Sequence, residues 1–225
     1  MALILNIDTS LELASICIGR DGSPLMIVEN KEQKEHATWL HVAVKEMMEQ
    51  TGIKMDALQA VAVADGPGSY TGLRVGMAAA KGFCFALRIP LITVNTLYLM
   101  AASTEGHIPN SENYLICPMI DARRMEVFTA LYSNEIKEIM PPCAMILNKN
   151  SFEDYLLQQD VFFTGNGTVK WKDIVSSPRA FFIDGSGLAP TLAKIADHKY
   201  LTREFTDLIY SEPSYLKEFF THEKK

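Results

Sequence analysis

Residues 60–76, AVAVADGPGSYTGLRVG, contain the clearest indication of the fold in this chain. The run from Ala60 to Ala64 contains no polar position, which is typical of a strand that is covered on both faces. A tight glycine-rich loop follows, and small and apolar residues then continue at helical spacing to about Leu87. A buried strand that leads through a glycine loop into a helix predicts an α/β fold.

The glycine loop also has the setting of an anion site, because backbone amides and a helix N-terminus would face the same point. Its spacing differs from the known phosphate loops. A P-loop has Lys and then Ser or Thr where Leu73 and Arg74 follow Gly72, and the dinucleotide fingerprint has one residue fewer between its last two glycines. Ser69 lacks the glycine that a serine-hydrolase elbow has two residues later. A structural turn and an anion site both stay open.

The helix after the loop is unusually rich in glycine and alanine. Each glycine in a helix interior costs about 1 kcal/mol relative to alanine, so we expect a compensating close approach of another backbone. A stripe of small residues is predicted to make that approach: Val75, Gly76, Ala79, Gly82 and Ala86.

Strand and helix patterns extend outward from this unit on both sides. The first half is predicted to contain strands over 3–8, 13–20, 25–28 and 91–94 and helices over 36–50 and 96–102, the last capped by Thr96. A thinner repeat of the pattern follows the polar stretch at 103–113, with a loop at Pro141-Pro142 and a helix from Ser151 to about Gln159. We therefore predict an N-terminal domain, 1–104, and a C-terminal domain, 105–225, whose last segment is free to pack back on the first.

The bulk composition narrows the class of protein. The 225 residues are 48% hydrophobic and 21% charged, as in ordinary globular proteins, and the formal net charge is -6. That charge argues against a main nucleic-acid-binding surface, because such surfaces neutralise phosphates with a basic excess. No apolar run approaches the ~20 residues of a membrane helix. Four widely spaced cysteines are typical of reduced thiols, so we expect a cytoplasmic protein.

Few residues have the spacing of a reactive site. His36 and His41 would lie about 140° apart on a helix, whereas two metal ligands on one helix need a gap of three or four residues, so we expect no metal site. The run 8–10, Asp-Thr-Ser, ends the first strand and has the position of a phosphate-facing or magnesium-facing carboxylate, or of a residue that closes a turn. The charged run 121–124 is either a solvated turn or a contact in an interdomain cleft.

The run 66–76 closely resembles the glycine segment of the TsaB family, which is also called YeaZ. Shorter segments match the family in the same order, so the resemblance spans almost the whole chain. They are Ile7–Ser10, Glu35-His36, Val94–Leu97, Ile120–Val127, Gly165–Gly167 and Glu212–Leu216. Two of them depart from the family pattern: Asn95 stands in place of a serine, and Arg124-Met125 replaces Met-Gly.

The resemblance implies two ribonuclease-H-like domains of the actin and hexokinase superfamily, which flank a cleft. It also implies a non-catalytic subunit that activates a related TsaD-type catalytic subunit, together with a TsaE-type ATPase. That assembly transfers threonylcarbamoyl to the adenosine 3′ of the anticodon in ANN-decoding tRNAs, which this subunit would meet only through the complex. No intrinsic cofactor is expected. ATP or ADP at a shared interface stays open, with a nucleotide cleft at Asp8, Thr9, Ser10, Gly165, Asn166 and Gly167.

The helix at 36–50 and the helix after the glycine loop have more apolar surface than one core face requires. We expect this surface to dock the TsaD-type subunit in a four-helix arrangement. The predicted docking residues are Trp39, Val42, Arg74, Met77, Ala78, Lys81 and Phe85. Without the partner, the same face would form a homodimer. Two alternatives remain: a stand-alone nucleotide-binding regulator, and a glycoprotease-like metallopeptidase or ATPase, for which no ligand set is visible.

Overall fold

The computed structural model describes residues 2–32, 36–108, 113–185 and 187–217, and within these ranges two five-stranded sheets form the framework. The first half contains β1 (Leu3–Asp8), β2 (Ala14–Arg20), β3 (Ser23–Asn30), α1 (His36–Thr51), a 3-10 helix (Met55–Ala57), β4 (Ala60–Gly66), α2 (Tyr70–Leu87), β5 (Leu91–Asn95) and α3 (Thr96–Ala102). The second half contains β6 (Tyr114–Asp121), β7 (Glu126–Ser133), β8 (Glu138–Ile146), α4 (Glu153–Leu156), β9 (Asp160–Thr164), a 3-10 helix (Asn166–Thr168), α5 (Val169–Lys172), β10 (Ala180–Ile183) and α6 (Ala189–Thr202).

The two sheets repeat one topology. The first has the order β3-β2-β1-β4-β5, in which the first three strands form an antiparallel meander and β4 and β5 add in parallel. The second has the order β10-β9-β6-β7-β8 with the same directions: β6, β7 and β8 form the meander, and β9 and β10 run parallel to β6. This duplication confirms the predicted fold class of two ribonuclease-H-like domains with mixed sheets.

Alternate residues of the first sheet face two different cores, because side chains along a strand point to opposite faces. Val61 and Val63 face α1 and α2, whereas Ala60, Ala62 and Ala64 face α3 and α6. The second core continues onto the second sheet through residues of β6 and β7, with α3 in contact with both sheets. The layers therefore run α1 and α2, first sheet, α3 and α6, and second sheet, with α4 and α5 beyond it.

The last helix of the second half returns to the first sheet. α6 packs mainly across β1 and β2, and the chain then pairs antiparallel with the edge strand β5 where Thr206 meets Leu91. Beyond that bridge, Leu208 joins the core under α2. The residues after α6 thus pass around the edge of the first sheet to the side that carries α1 and α2.

Three local predictions were wrong. Pro141 and Pro142 lie inside β8, which is an edge strand, where a missing amide donor is tolerated. The helix predicted from Ser151 to about Gln159 is only the single turn α4. Asn95 rather than Thr96 caps α3, since its Oδ1 accepts the amides of Leu97 and Tyr98 at 3.0 and 3.3 Å.

The glycine loop brings α2 against the end of β1. Cβ atoms at Gly72 and Gly76 would clash with Thr9, at its carbonyl oxygen and its Oγ1 respectively. Thr9 in turn donates its hydroxyl to the carbonyl of Gly72 at 2.7 Å, and Ser69 caps the helix by accepting the Gly72 amide. A backbone approaches α2 closely at Gly72, which lies outside the predicted small-residue stripe, whereas Gly76 of that stripe meets only side-chain atoms.

Candidate partner surface and interdomain cleft

The exposed side of α2 differs from the predicted docking stripe at one residue. Arg74, Ala78 and Phe85 are exposed and Lys81 is half-buried, as a surface role requires. Met77 is only 3% exposed and packs into the core between α2 and the first sheet, so its assignment to the docking face was wrong. Its neighbours at helical spacing, Leu73 and Cys84, are buried as well, so the core side of the helix is wider than predicted.

The small-residue stripe was also only half correct. Gly76 and Ala79 are buried, but Gly82 and Ala86 face solvent, and a Cβ at Gly82 would meet no described atom within 4 Å. These two positions leave a shallow stretch of helix backbone beside Ala78 on the exposed side. A second helix could approach such a stretch closely.

α1 lies beside α2 and extends the exposed surface. Val42 is exposed, whereas Trp39 is half-buried against the core that the two helices share. His41 contacts the Phe83 ring edge-on, with 5.7 Å between ring centroids, and this contact joins the helices near the surface. Of the two predicted α1 docking residues, Val42 is therefore free of the core and Trp39 presents only part of its ring.

The two basic residues of the exposed side are both tied to the end of the chain. Arg74 lies over the Tyr70 ring at 4.2 Å and donates its Nε to the Tyr215 hydroxyl at 3.2 Å. Lys81 Nζ donates to the carbonyls of Ile209 and Ser211, at 3.1 and 2.9 Å. The sequence does not predict these contacts, because 128 to 141 residues of chain separate the partners and no local pattern signals them.

Two adjoining cavities occupy the cleft between the domains. One, of about 690 Å³, is lined by the glycine loop of the first domain and by Asp121 and Arg123 of the second. The other, of about 430 Å³, is lined by Gly165 and by a mixture of apolar and polar side chains. Glu12 and Asn166 line both cavities, and Ser10 lines the first. Of the six predicted cleft residues, the cavities therefore reach Ser10, Gly165 and Asn166.

The other three predicted cleft residues lie in the interior. Thr9 bonds to α2, as described above, and Gly167 packs against Met119 and Val127. Asp8 is fully buried; burial raises its pKa to about 6, although the hydroxyl and amide of Ser10 both donate to its Oδ1, at 2.5 and 3.0 Å. Among the residues that the structure describes, none hydrogen-bonds to Asp8 Oδ2. This carboxyl closes the turn after β1, which is the simpler of its two predicted roles.

The charged turn at 121–124 is bonded to its own domain. Lys170 Nζ contacts Asp121 Oδ1 at 2.5 Å, and Asn166 Oδ1 accepts the Asp121 amide at 2.9 Å. Burial works against ionisation of Asp121, but the hydrogen bonds from Lys170 and the Arg123 amide and the charges of both residues together outweigh it, so the carboxyl pKa is lowered. Arg123 has a left-handed φ of 71° and lines the larger of the two cavities.

The part of the chain that the structure describes contains no group of three or more His, Cys, Asp or Glu side chains placed to hold a metal ion. Over the same residues, no helix combines the length and apolar character that a membrane crossing requires. Burial raises the pKa of the Cys17 and Cys84 thiols to about 12 and about 11, which disfavours thiolate formation there.

Duplicated sheets and a cleft between them define this protein as a member of the class with two ribonuclease-H-like domains. A family model described as "TsaD: tRNA N6-adenosine threonylcarbamoyltransferase" matches residues 27–205. The tRNA threonylcarbamoyladenosine biosynthesis protein TsaB of Bacillus subtilis is 30% identical over 177 residues, which cover 76% of this chain and 74% of that protein. The Escherichia coli protein of the same name is 27% identical, over 95% of this chain and 94% of its own length.

A solved structure shares the whole fold. A Pseudomonas aeruginosa protein, described as similar to the peptidase YEAZ, superposes with a TM-score of 0.80 over 96% of this chain and 100% of its own, at 23% identity. The chain belongs to the TsaB (YeaZ) family.

Proposed function

We propose that this protein is a non-catalytic subunit of the assembly that makes threonylcarbamoyladenosine in tRNA. Its relatives carry the name of that biosynthesis, and the matching family model carries the name of the transferase. In this role it docks a related transferase subunit through the exposed sides of α1 and α2 and thereby activates it. A TsaE-type ATPase joins the assembly, the subunit meets tRNA only through the complex, and the assembly works in the cytoplasm.

The observation that carries the proposal is the exposed side of α2, a helix that is otherwise part of the core. Phe85 is 80% exposed, and Ala78 and Gly82 leave the backbone between Arg74 and Phe85 uncovered. Interfaces gain most of their free energy from a few apolar and aromatic anchors in a desolvated centre with charges at the rim. Phe85, Val42 and the open part of Trp39 supply such anchors, and Arg74 and Lys81 supply rim charges.

Three polar side chains beside the cleft support a role without chemistry. An activated nucleophile needs an adjacent base, and a metal-dependent hydrolase needs a ligand cluster. The Ser69 hydroxyl caps α2, and the Thr9 hydroxyl donates a hydrogen bond to the same helix. The Asp8 carboxyl accepts a hydrogen bond from Ser10. These groups hold the fold together where a catalyst would present them to a substrate.

Reconstitution tests the proposal directly. Purified transferase, ATPase, threonylcarbamoyl donor and tRNA should modify tRNA in the presence of this chain and fail, or slow at least tenfold, in its absence. The chain alone should neither modify tRNA nor hydrolyse ATP. Sustained ATP turnover by the chain alone would instead favour the ATPase alternative, and full activity without the chain would refute the proposed role.

A nucleotide-binding regulator is the second candidate, and the shared cavities at Glu12 and Asn166 are what favour it. A ligand that binds only the native state raises the melting temperature. Titration with ADP and ATP, for the chain alone and for its complex with the transferase, would show whether the cleft takes a nucleotide in either state. A shift only in the complex would place the nucleotide at a shared interface. Sedimentation of the chain alone tests the proposed homodimer.

A further inference from the structure

The three most exposed large apolar side chains among the described residues belong to one region. Tyr210 is 82% exposed, Phe85 80% and Ile209 76%. Lys81 lies one helical turn before Phe85 and bonds to the carbonyls of Ile209 and Ser211. Phe85 and Leu208 also line one depression beside the end of α2. The exposed side of α2 therefore continues without a break onto residues 207–211, which we name the C-terminal turn.

The C-terminal turn is held in a fixed shape. Asp207 Oδ1 accepts the amides of Ile209 and Tyr210, at 2.8 and 3.0 Å, and the Ser211 amide closes the turn on the Asp207 carbonyl at 3.1 Å. Leu208 points the other way, into the core under α2. Leu208 thus anchors the turn to the core, while the side chains of Ile209 and Tyr210 project into solvent. A surface that is already ordered loses less conformational entropy on binding.

From this geometry we infer that the C-terminal turn is part of the partner surface, with Ile209 and Tyr210 inserted into the same related transferase subunit that α2 docks. The inference rests on the proposed function and extends it to residues outside the two helices. Tyrosine and large aliphatic side chains in a fixed geometry are typical anchors of protein interfaces. A partner that covers these side chains gains free energy because it removes their apolar surface from water.

Charge favours the transferase over a second copy of this chain, so a homodimer through this face is expected only when the transferase is absent. α2 carries Arg74 and Lys81 and no acidic residue, and Arg88 follows its last turn. The acids near these groups, Asp207 and Glu212, lie on the segment after α6. A twofold pairing of α2 with its own copy would bring like charges together, because an isologous interface uses the same patch twice. A heterologous partner can instead place carboxylates opposite the helix.

Alanine variants of the full-length chain test this inference. Ile209→Ala and Tyr210→Ala keep the backbone bonds of the turn, so the melting temperature should not change, and each should weaken the Kd for the transferase subunit by about tenfold or more. Leu201→Ala is the matched control, since Leu201 is 69% exposed but lies on α6, on the opposite side of the first sheet. Its Kd should equal that of the unmodified chain.

Ala78→Asp, measured in parallel, separates the two proposals. If Ala78→Asp breaks the complex and both alanine variants bind like the unmodified chain, the inference about the turn is overturned and the proposed function stands. If Ala78→Asp has no effect, the proposed docking face itself has failed. If the alanine variants dissociate a homodimer in sedimentation while the Kd for the transferase is unchanged, the occupant is a second copy and the inference is also overturned.

Discussion

The exposed side of α2 and the interdomain cleft are both open to solvent, yet their side chains are used in opposite ways. In the cleft, Asp121 and Asn166 bond to their own domain, and the adjacent Asp8 and Thr9 are turned into the fold. On α2, apolar groups such as Phe85 are left largely exposed by the described part of the chain. Polar groups that are already paired offer little to a substrate, whereas uncovered apolar groups gain free energy when a partner removes them from water.

The largest expected effect comes from the buried side of α2, where Met77 faces the core while its neighbour Ala78 faces solvent. Met77→Asp should abolish folding or lower the free energy of unfolding by about 4 kcal/mol or more, because it buries an unpaired carboxylate and leaves a cavity. Thermal or urea unfolding measures the effect. A folded Met77→Asp protein with near-normal stability would mean that the burial of this helix side has been misassigned.

A second prediction concerns the packing of α2 on the end of β1. Gly72→Ala should destabilise the protein by about 3 kcal/mol, because the new Cβ would meet the carbonyl oxygen of Thr9, and backbone atoms cannot move aside easily. Gly82→Ala is its control on the same helix. There the Cβ enters open space, so alanine should stabilise the protein by roughly 0.5–1 kcal/mol, and equal effects at the two positions would contradict the packing.

A third prediction concerns the buried carboxyl beside the cleft. In the folded protein the pKa of Asp8 is about 6, above the ordinary 3.8 of the unfolded chain, so the folded state binds the proton more tightly and loses stability as pH rises from about 4 to above 6. Asp8→Asn removes this loss, while its side-chain oxygen can still accept from Ser10. The variant should be close to the unmodified chain at pH 4 and more stable by about 3 kcal/mol at pH 7.5.

Urea unfolding of both proteins across that pH range measures the sign and the size of the stability difference. A variant that is destabilised at pH 7.5 would show that the Asp8 carboxylate is needed in its charged form. Its role would then extend beyond closing the turn after β1.

The sequence was sufficient for the parts of the fold that depend on local pattern. The apolar run at 60–64, the glycine loop and the helix to Leu87 were predicted from composition and period, because a strand covered on both faces and a glycine turn leave direct marks in sequence. The strand at Pro141 and Pro142 could not be predicted, because proline is tolerated only in an edge strand and the position of a strand in the sheet depends on strand order. That order is set by long-range pairing.

The site was predicted less well, for two physical reasons. α2 has small or apolar residues around most of its circumference, so its hydrophobic period could not decide whether Met77 or Ala78 faced the core. The C-terminal turn was missed because its place beside α2 is fixed by contacts such as the bond of Lys81 to Ile209, which joins residues 128 apart in the chain. Neither the exposure of Tyr210 nor its neighbours could be inferred from its own segment.

The central claim is that the exposed side of α2 is a docking face, and Ala78→Asp tests it most directly. The introduced carboxylate would lie one turn from Arg74 and from Lys81, so the fold should be retained, whereas a carboxylate in the middle of an apolar interface is costly. We predict an unchanged melting temperature and a Kd for the transferase subunit weakened at least 100-fold, while Leu201→Asp on the opposite side binds normally. Tight binding by the folded Ala78→Asp protein would contradict the account.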